Sequence, residues 1–382
     1  MTGAELDRLF SQVFCYELGE SAHRFCFLVD IPKLTQDDTR AWAERRKLVR
    51  AWAKALSAEG RHACLIFAYE ATDHGNADLI RHAYEIPAGV DVPNTAAELE
   101  AVCCHPVPFD EIYESGEYWI ALTQFSATAP LKLAALRHGF KAATMPGFTL
   151  AMLPALSVDI DLVNARVHKL ARALTRSDSA KLVFDALGKK FELTLDLRSR
   201  MGFASSGRLP NIGQAANLPA GEAYIVPYEG EKHDLVSISN GILPLERDGQ
   251  IALCEVSENH VVCIEGDNAW SEDLRSFISA DAARANIAEL GLGILGDFGI
   301  APVGSIFLDE KLALHIAMGR SEHLGGVTSP TDFASPDNVC HIDYVFHRAL
   351  QPDIHIARGE LRGPWGSVVF VENDRYLYDN IP

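Results

Sequence analysis

The texture of this chain changes once, near residue 180, and that change limits the folds open to it. Before it, strand-like and helix-like segments alternate. RFCFLVDIP (24–32) reads as a buried strand, Gln36 to Ala58 as a long helix with Thr35 as its cap, and HACLIFAY (62–69), beyond Gly60, as the next strand. EYWIAL (117–122) precedes a helix from Pro130 to His138 that Gly139 ends, and a helix from Asp159 to Leu174 closes this half. Such a βαβ rhythm predicts a mainly parallel sheet with helices on its faces. Afterwards KLVFDALGKKFELTLDLR (181–198) sets two β-rich runs around Gly188, a hairpin signal, and short strands with Gly/Pro-rich turns run to the end. A length of 382 residues is long for one core. We therefore expect an α/β domain over 1–178, then a mostly-β (α+β) metal-binding domain over 179–382.

The formal charge of −18 argues against nucleic acid as a partner, since phosphate binding needs a basic footprint. One basic cluster, Arg45, Arg46, Lys47 and Arg50, interrupts the acidity. It lies on a helix whose apolar residues Trp42, Val49, Trp52 and Leu56 recur at helical spacing, so a solvated face is expected. No stretch approaches the roughly 18 consecutive apolar residues of a membrane span. The acidic, amphipathic N-terminus is no secretion signal, which makes the cytoplasm the expected compartment. Eight Cys without regular spacing, Cys103 and Cys104 adjacent among them, read as reduced, mostly buried thiols.

Chemistry concentrates in the second half. Glu222 lies in NLPAGEAYIVP, Glu289 in NIAELGLG, Glu310 and His315 in LDEKLALHIAMG, and His341 and Asp343 in NVCHIDYVF. Each stands beside Gly or among apolar and β-forming residues, where a charge costs free energy unless something pairs with it, and a divalent metal is the simplest partner. His341 and Asp343, at i and i+2 of a strand, point to one side and suit Zn, Mn, Co or Fe. The same alternation also describes a half-exposed strand with both groups in water. His315 has apolar flanks, which fits a ligand or a hydrogen-bonded core imidazole. Glu289 follows the helix-like SADAARANIAEL, where a terminal carboxylate opposes the helix dipole. Glu310 precedes Lys311, so an exposed ion pair is the plain alternative there, and a bend is needed to bring Glu310 to His315.

Two motif matches fail on context. GLGILG (291–296) has the spacing of a dinucleotide fingerprint but lacks a strand before it and a helix after it. Asp297-Phe298-Gly299 has none of the companion elements of a kinase.

Taken in order and with their separations, the four ligand-bearing motifs resemble those of the thermophilic-type leucyl metallo-aminopeptidases. The resemblance covers roughly residues 180–350. It implies a dinuclear Zn, Co or Mn site held by Glu222, Glu289, Glu310, His315, His341 and Asp343. It also implies a two-domain homodimer with an interior site that acts on a small peptide or amide, with Glu289 carrying the proton from the attacking water to the leaving amine. Charge agrees: four carboxylates balance two dications rather than one.

One position departs from the family. Glu322, in HIAMGRSEHLGG, stands where these peptidases usually carry a Tyr that steadies the oxyanion. Either His323 takes that part or the reaction differs from ordinary peptide hydrolysis. Arg320 and His323 read equally as substrate contacts or as a polar loop. The scaffold also resembles that of ring-cleaving 2,5-dihydroxypyridine dioxygenases, for which Glu289, His341 and Asp343 would hold one Fe(II).

Overall fold

The computed structural model describes residues 1–19, 21–58, 60–102 and 105–381. Cys103 and Cys104 lie outside them. Among the described residues no helix is long and apolar enough to cross a membrane.

The chain forms two compact units. The first comprises Met1–Asp161 and Gly207–Ala220 and carries a seven-stranded sheet. Its strands run in the order Ala215–Asn217, Lys141–Thr144, Tyr118–Ala121, Arg24–Ile31, Ala63–Glu70, His82–Glu85 and Val107–Pro108, the first five parallel and the last two antiparallel. Arg24–Ile31 is buried at every position after Arg24, as expected of a central parallel strand covered on both faces. The helix Arg40–Ser57 buries Trp42, Val49, Trp52 and Leu56, the stripe expected from its periodicity.

Two expectations about that helix change. It begins five residues beyond Thr35, after a 3-10 turn (Thr35–Asp37), and its cap is Thr39, whose hydroxyl accepts from Trp42 N at 3.3 Å. The basic cluster is also not a solvated face. Arg45 and Arg46 are buried and Lys47 is exposed. The Asp38 carboxylate grips Arg46 with two bonds of 2.9 and 2.8 Å, and Arg45 bonds to Phe148 O and Gln124. Asp38 lies before the helix, and Gln124 and Phe148 lie far along the chain, so helical periodicity reveals none of these partners.

The second unit comprises Leu162–Ser206 and Gly221–Pro382. The change of unit thus falls within the helix Ile160–Thr175, and residues 207–220 return to the first sheet. An eight-stranded antiparallel sheet begins with the expected hairpin, Ser179–Ala186 and Lys189–Asp196. Leu187 and Gly188 turn it at φ of 53° and 70°, the left-handed pair that a two-residue hairpin loop requires. The described cysteines are all free; two are buried, three half-buried and Cys263 is exposed, so burial is less general than expected.

A second sheet of this unit has five antiparallel strands: His341–Val345, Leu314–Gly319, Ile287–Gly293, Glu222–Ile225 and Phe203–Ser205. Here the helical reading of SADAARANIAEL fails. Only Ala282–Ala285 makes a 3-10 turn, and Ile287–Gly293 is a strand buried at all seven positions. Burial on both faces removes the alternation by which a strand is recognised, leaving helix-forming Ala, Glu and Leu to mislead.

Candidate metal centre

The strand register brings the acids and imidazoles onto one face of the five-stranded sheet. Glu289 and Asp343 flank Ala317 from its two neighbouring strands, and His315 stands opposite Gly291 one row away. Glu222 pairs with Gly293, and His341 with Gly319. Residues two apart along a strand share a face, so Glu222, Glu289, His315, His341 and Asp343 all project to one side. Gly and Ala at the intervening positions keep that side open. A Cβ on Gly291 would overlap the His315 ring, and one on Gly293 would stand 2.5 Å from Glu310 O. The glycines that mimic a dinucleotide fingerprint are therefore needed for close packing against an imidazole, in a strand followed by a 3-10 turn.

Two groups of potential ligands result, Glu222–Glu289–His315 and Glu289–His341–Asp343, each with its donor atoms within 4.8 Å of one another. Glu289 belongs to both. Its Oε1 lies 3.5 Å from His315 Nε2 and its Oε2 3.1 Å from His341 Nε2. His341 Nε2 also lies 3.4 Å from Asp343, while its Nδ1 meets the Arg320 carbonyl at 2.7 Å. His315 is fully buried, with Nδ1 3.3 Å from Ala313 O and Nε2 3.9 Å from Glu222 and from Asp343. Burial opposes the charge of both imidazoles, but the surrounding carboxylates outweigh it and raise their pKa values. Burial alone would raise Glu289; contacts with His315 and His341 hold its carboxyl well below the usual range instead. At Glu222 burial outweighs the nearby charges of Lys311 and His315, and its carboxyl is raised.

Glu310 stands apart from both groups. It opens the 3-10 turn Glu310–Leu312, and the strand carrying His315 starts at Leu314, which supplies the expected bend. The turn is not exposed. Lys311 is 1% exposed, pairs with Glu310, lies 3.6 Å from Glu222 Oε1 and donates to Phe307 O at 2.6 Å. Burial raises the Glu310 carboxyl to about 7. Lys311 stays charged despite its burial because Glu222 and Glu310 face it. The ion pair weighed as the alternative for Glu310 thus forms, but buried rather than exposed; the apolar run after Lys311 is the signal of that burial in the sequence.

The loop beyond the His315 strand carries the remaining candidates. Glu322 is exposed and accepts from Arg320 Nη2 at 2.7 Å and from Nε at 3.2 Å, so each neutralises the other. His323 packs edge-on against His341, with centroids 5.1 Å apart and an interplanar angle of 84°. His323 is exposed at the surface, but the protein atoms packed about its ring, then the charges of His341 and Arg320, lower its pKa to about 4, which leaves a neutral ring able to donate one N–H. Two further residues escaped the sequence reading. Tyr224 shares a face with Glu222, two positions along the same strand. Glu229 is a buried carboxylate that ties down the loop.

No family model and no curated protein matches the chain. Solved structures share its fold, two of them over nearly its whole length. The 2,5-dihydroxypyridine dioxygenase from Pseudomonas putida aligns over 99% of this chain and 98% of its own at 14% identity, with a TM-score of 0.57. Wild-type AmpT from Thermus thermophilus aligns over 98% of this chain and 99% of its own, also at 14% identity, with a TM-score of 0.55. At such identity the likeness establishes the fold, and the site chemistry must be argued from the side chains.

Proposed function

We propose that this chain is a metal-dependent hydrolase that releases N-terminal residues from small peptides, or cleaves related amides, with two divalent cations, Zn, Co or Mn. One observation carries the reading: two ligand groups overlap on the shared carboxylate of Glu289. The donor set fits hard to borderline dications, being carboxylate and imidazole without thiolate. Its charge fits as well. Four carboxylates and the Lys311 ammonium leave three negative charges in a buried place, too many for one dication and matched by two with one small anion. Glu222, Glu289 and His315 would hold one cation, Glu289, His341 and Asp343 the other, with Glu310 completing the set. The cations, when bound, would supply Lewis acidity for the scissile carbonyl and an acidified water.

The chain's own side chains divide the remaining work. Glu289, the carboxylate common to both groups, is the proton carrier we assign: it would take the water's proton and pass it to the leaving amine. His323, neutral and beside His341, is the donor we assign to the developing oxyanion in place of a phenol. Glu322 is compatible with that role because Arg320 compensates its charge. Arg320 then acts on substrate only as part of this pair. The homodimer implied by the motif resemblance belongs to the same proposal.

The test is cleavage of an aminoacyl-anilide by purified chain with added Co²⁺, Mn²⁺ or Zn²⁺. Cation-dependent release of the anilide is expected, and none in chelator. A second reading has support of its own, because Glu289, His341 and Asp343 form a self-sufficient group and the fold is shared with a dioxygenase. Oxygen uptake on a dihydroxypyridine with iron, and no anilide cleavage, would replace the hydrolase by that reading.

A further inference from the structure

Glu229 follows the strand that carries Glu222 and belongs to neither ligand group. Its side chain is 3% exposed. Oε1 accepts from Asn286 Nδ2, Ser321 Oγ and Thr328 Oγ1, each at 2.7 Å. Oε2 accepts from Val327 N at 2.7 Å and from Arg200 Nη2 at 3.1 Å. A Cβ on Gly326 would stand 2.6 Å from Oε2, so the loop can close on this carboxylate only with glycine there. The segment 320–328, which carries Arg320, Glu322 and His323, is thus wrapped around one buried anion by charge-assisted bonds.

The same network reaches a ligand. Ser321, held by Glu229, directly follows Arg320, and Asn286, also held by Glu229, donates to Gly319 O at 3.0 Å just before it. The Arg320 peptide is fixed from both sides, and its carbonyl accepts from His341 Nδ1 at 2.7 Å. That bond turns His341 Nε2 toward Glu289 and Asp343.

We propose that Glu229 is a positioning residue of the site: through Ser321 and Asn286 it holds the Arg320 carbonyl where that carbonyl orients His341, and it sets His323 beside the same ring. The inference rests on the metal-binding reading for its purpose, though not for its geometry. Changing a partner that orients a ligating imidazole typically costs about 10- to 100-fold in metal affinity.

The test uses full-length chain carrying Glu229→Gln, which keeps size but removes charge and turns an NH₂ toward the donors. In metal-free protein, solvent exchange of the His341 Nδ1 proton is followed by NMR; Mn²⁺ affinity is measured by titration calorimetry. Exchange should quicken at least tenfold, and affinity should fall about 10- to 100-fold. A merely structural residue would lower the denaturation midpoint and leave both readouts where they were; that result overturns the proposal. Where Glu229→Gln does not fold, Ser321→Ala with Thr328→Val removes two of the donors, keeps the carboxylate and is judged by the same readouts. Parent protein that binds no Mn²⁺ would sink the metal reading, while proton exchange still decides the role of Glu229.

Discussion

Lys311→Met removes a buried ammonium and keeps an apolar stem of similar length. In the native chain the ammonium pairs with Glu310, lies 3.6 Å from Glu222 and donates to Phe307 O. A unit pair at that separation is worth about 4–5 kcal/mol at an effective dielectric near 20. Stripping one partner from a buried pair costs about 3–5 kcal/mol, because the other charge stays behind without compensation. Metal-free Lys311→Met should therefore unfold about 3–5 kcal/mol more easily than the parent near pH 7.5. The pH dependence has a definite sign. Burial raises Glu310 from 4.5 to about 7 and raises Glu222 as well, so the fold favours their protonated forms. The stability from that preference is complete below about pH 4.5 and is lost as pH rises through about 7. Without Lys311 both carboxyls rise further, so the deficit should be small near pH 5 and wide near pH 7.5. Urea denaturation in chelator at the two pH values measures it. Added Mn²⁺ should stabilise the variant more than the parent, since a dication restores the missing positive charge. Equal stability of variant and parent near pH 7.5, or a deficit independent of pH, would refute the reasoning.

Three further outcomes follow from the same geometry. Gly291→Ala drives a methyl into the His315 ring; it should cost about 1–3 kcal/mol of stability by denaturation and lower Mn²⁺ affinity at least tenfold by calorimetry. Glu289→Gln should abolish anilide turnover, because it removes both the shared ligand and the proton carrier; retained turnover would cancel that double role. Glu322→Tyr places a phenol beside His323 and should change turnover little, since His323 is the assigned donor; a rise of about tenfold or more would move that role to the phenol.

Much of the fold was legible because it rests on local rules. The parallel half follows from apolar runs separated by amphipathic helices, and the hairpin at Leu187 and Gly188 from a turn residue between two β-rich stretches. What failed lacked a local signal. Ile287–Gly293 is buried on both faces and shows no alternation, so it reads as a helix end although it is the middle strand of the site sheet. Arg45 and Arg46 are buried against partners that helical periodicity cannot see. At the site, residue types, order and charge pointed to Glu222, Glu289, His315, His341 and Asp343, which the strand register brings together. Glu229 was beyond reach because a charged residue beside a turn looks exposed until the fold closes over it, and for Lys311 the apolar run after it was the one sign of burial. The glycines illustrate the reverse case: their spacing imitated a phosphate loop, whereas their use is to leave room for an imidazole and a turn.

The central claim is that Glu289 joins two cation positions, and the number of ions bound tests it most directly. The chain would be loaded with Mn²⁺, freed of excess metal by desalting, and analysed for metal and protein by mass spectrometry. The account predicts about two equivalents per chain, falling to about one when His341→Ala removes a ligand unique to one group. A single equivalent in the parent, or none, would contradict it.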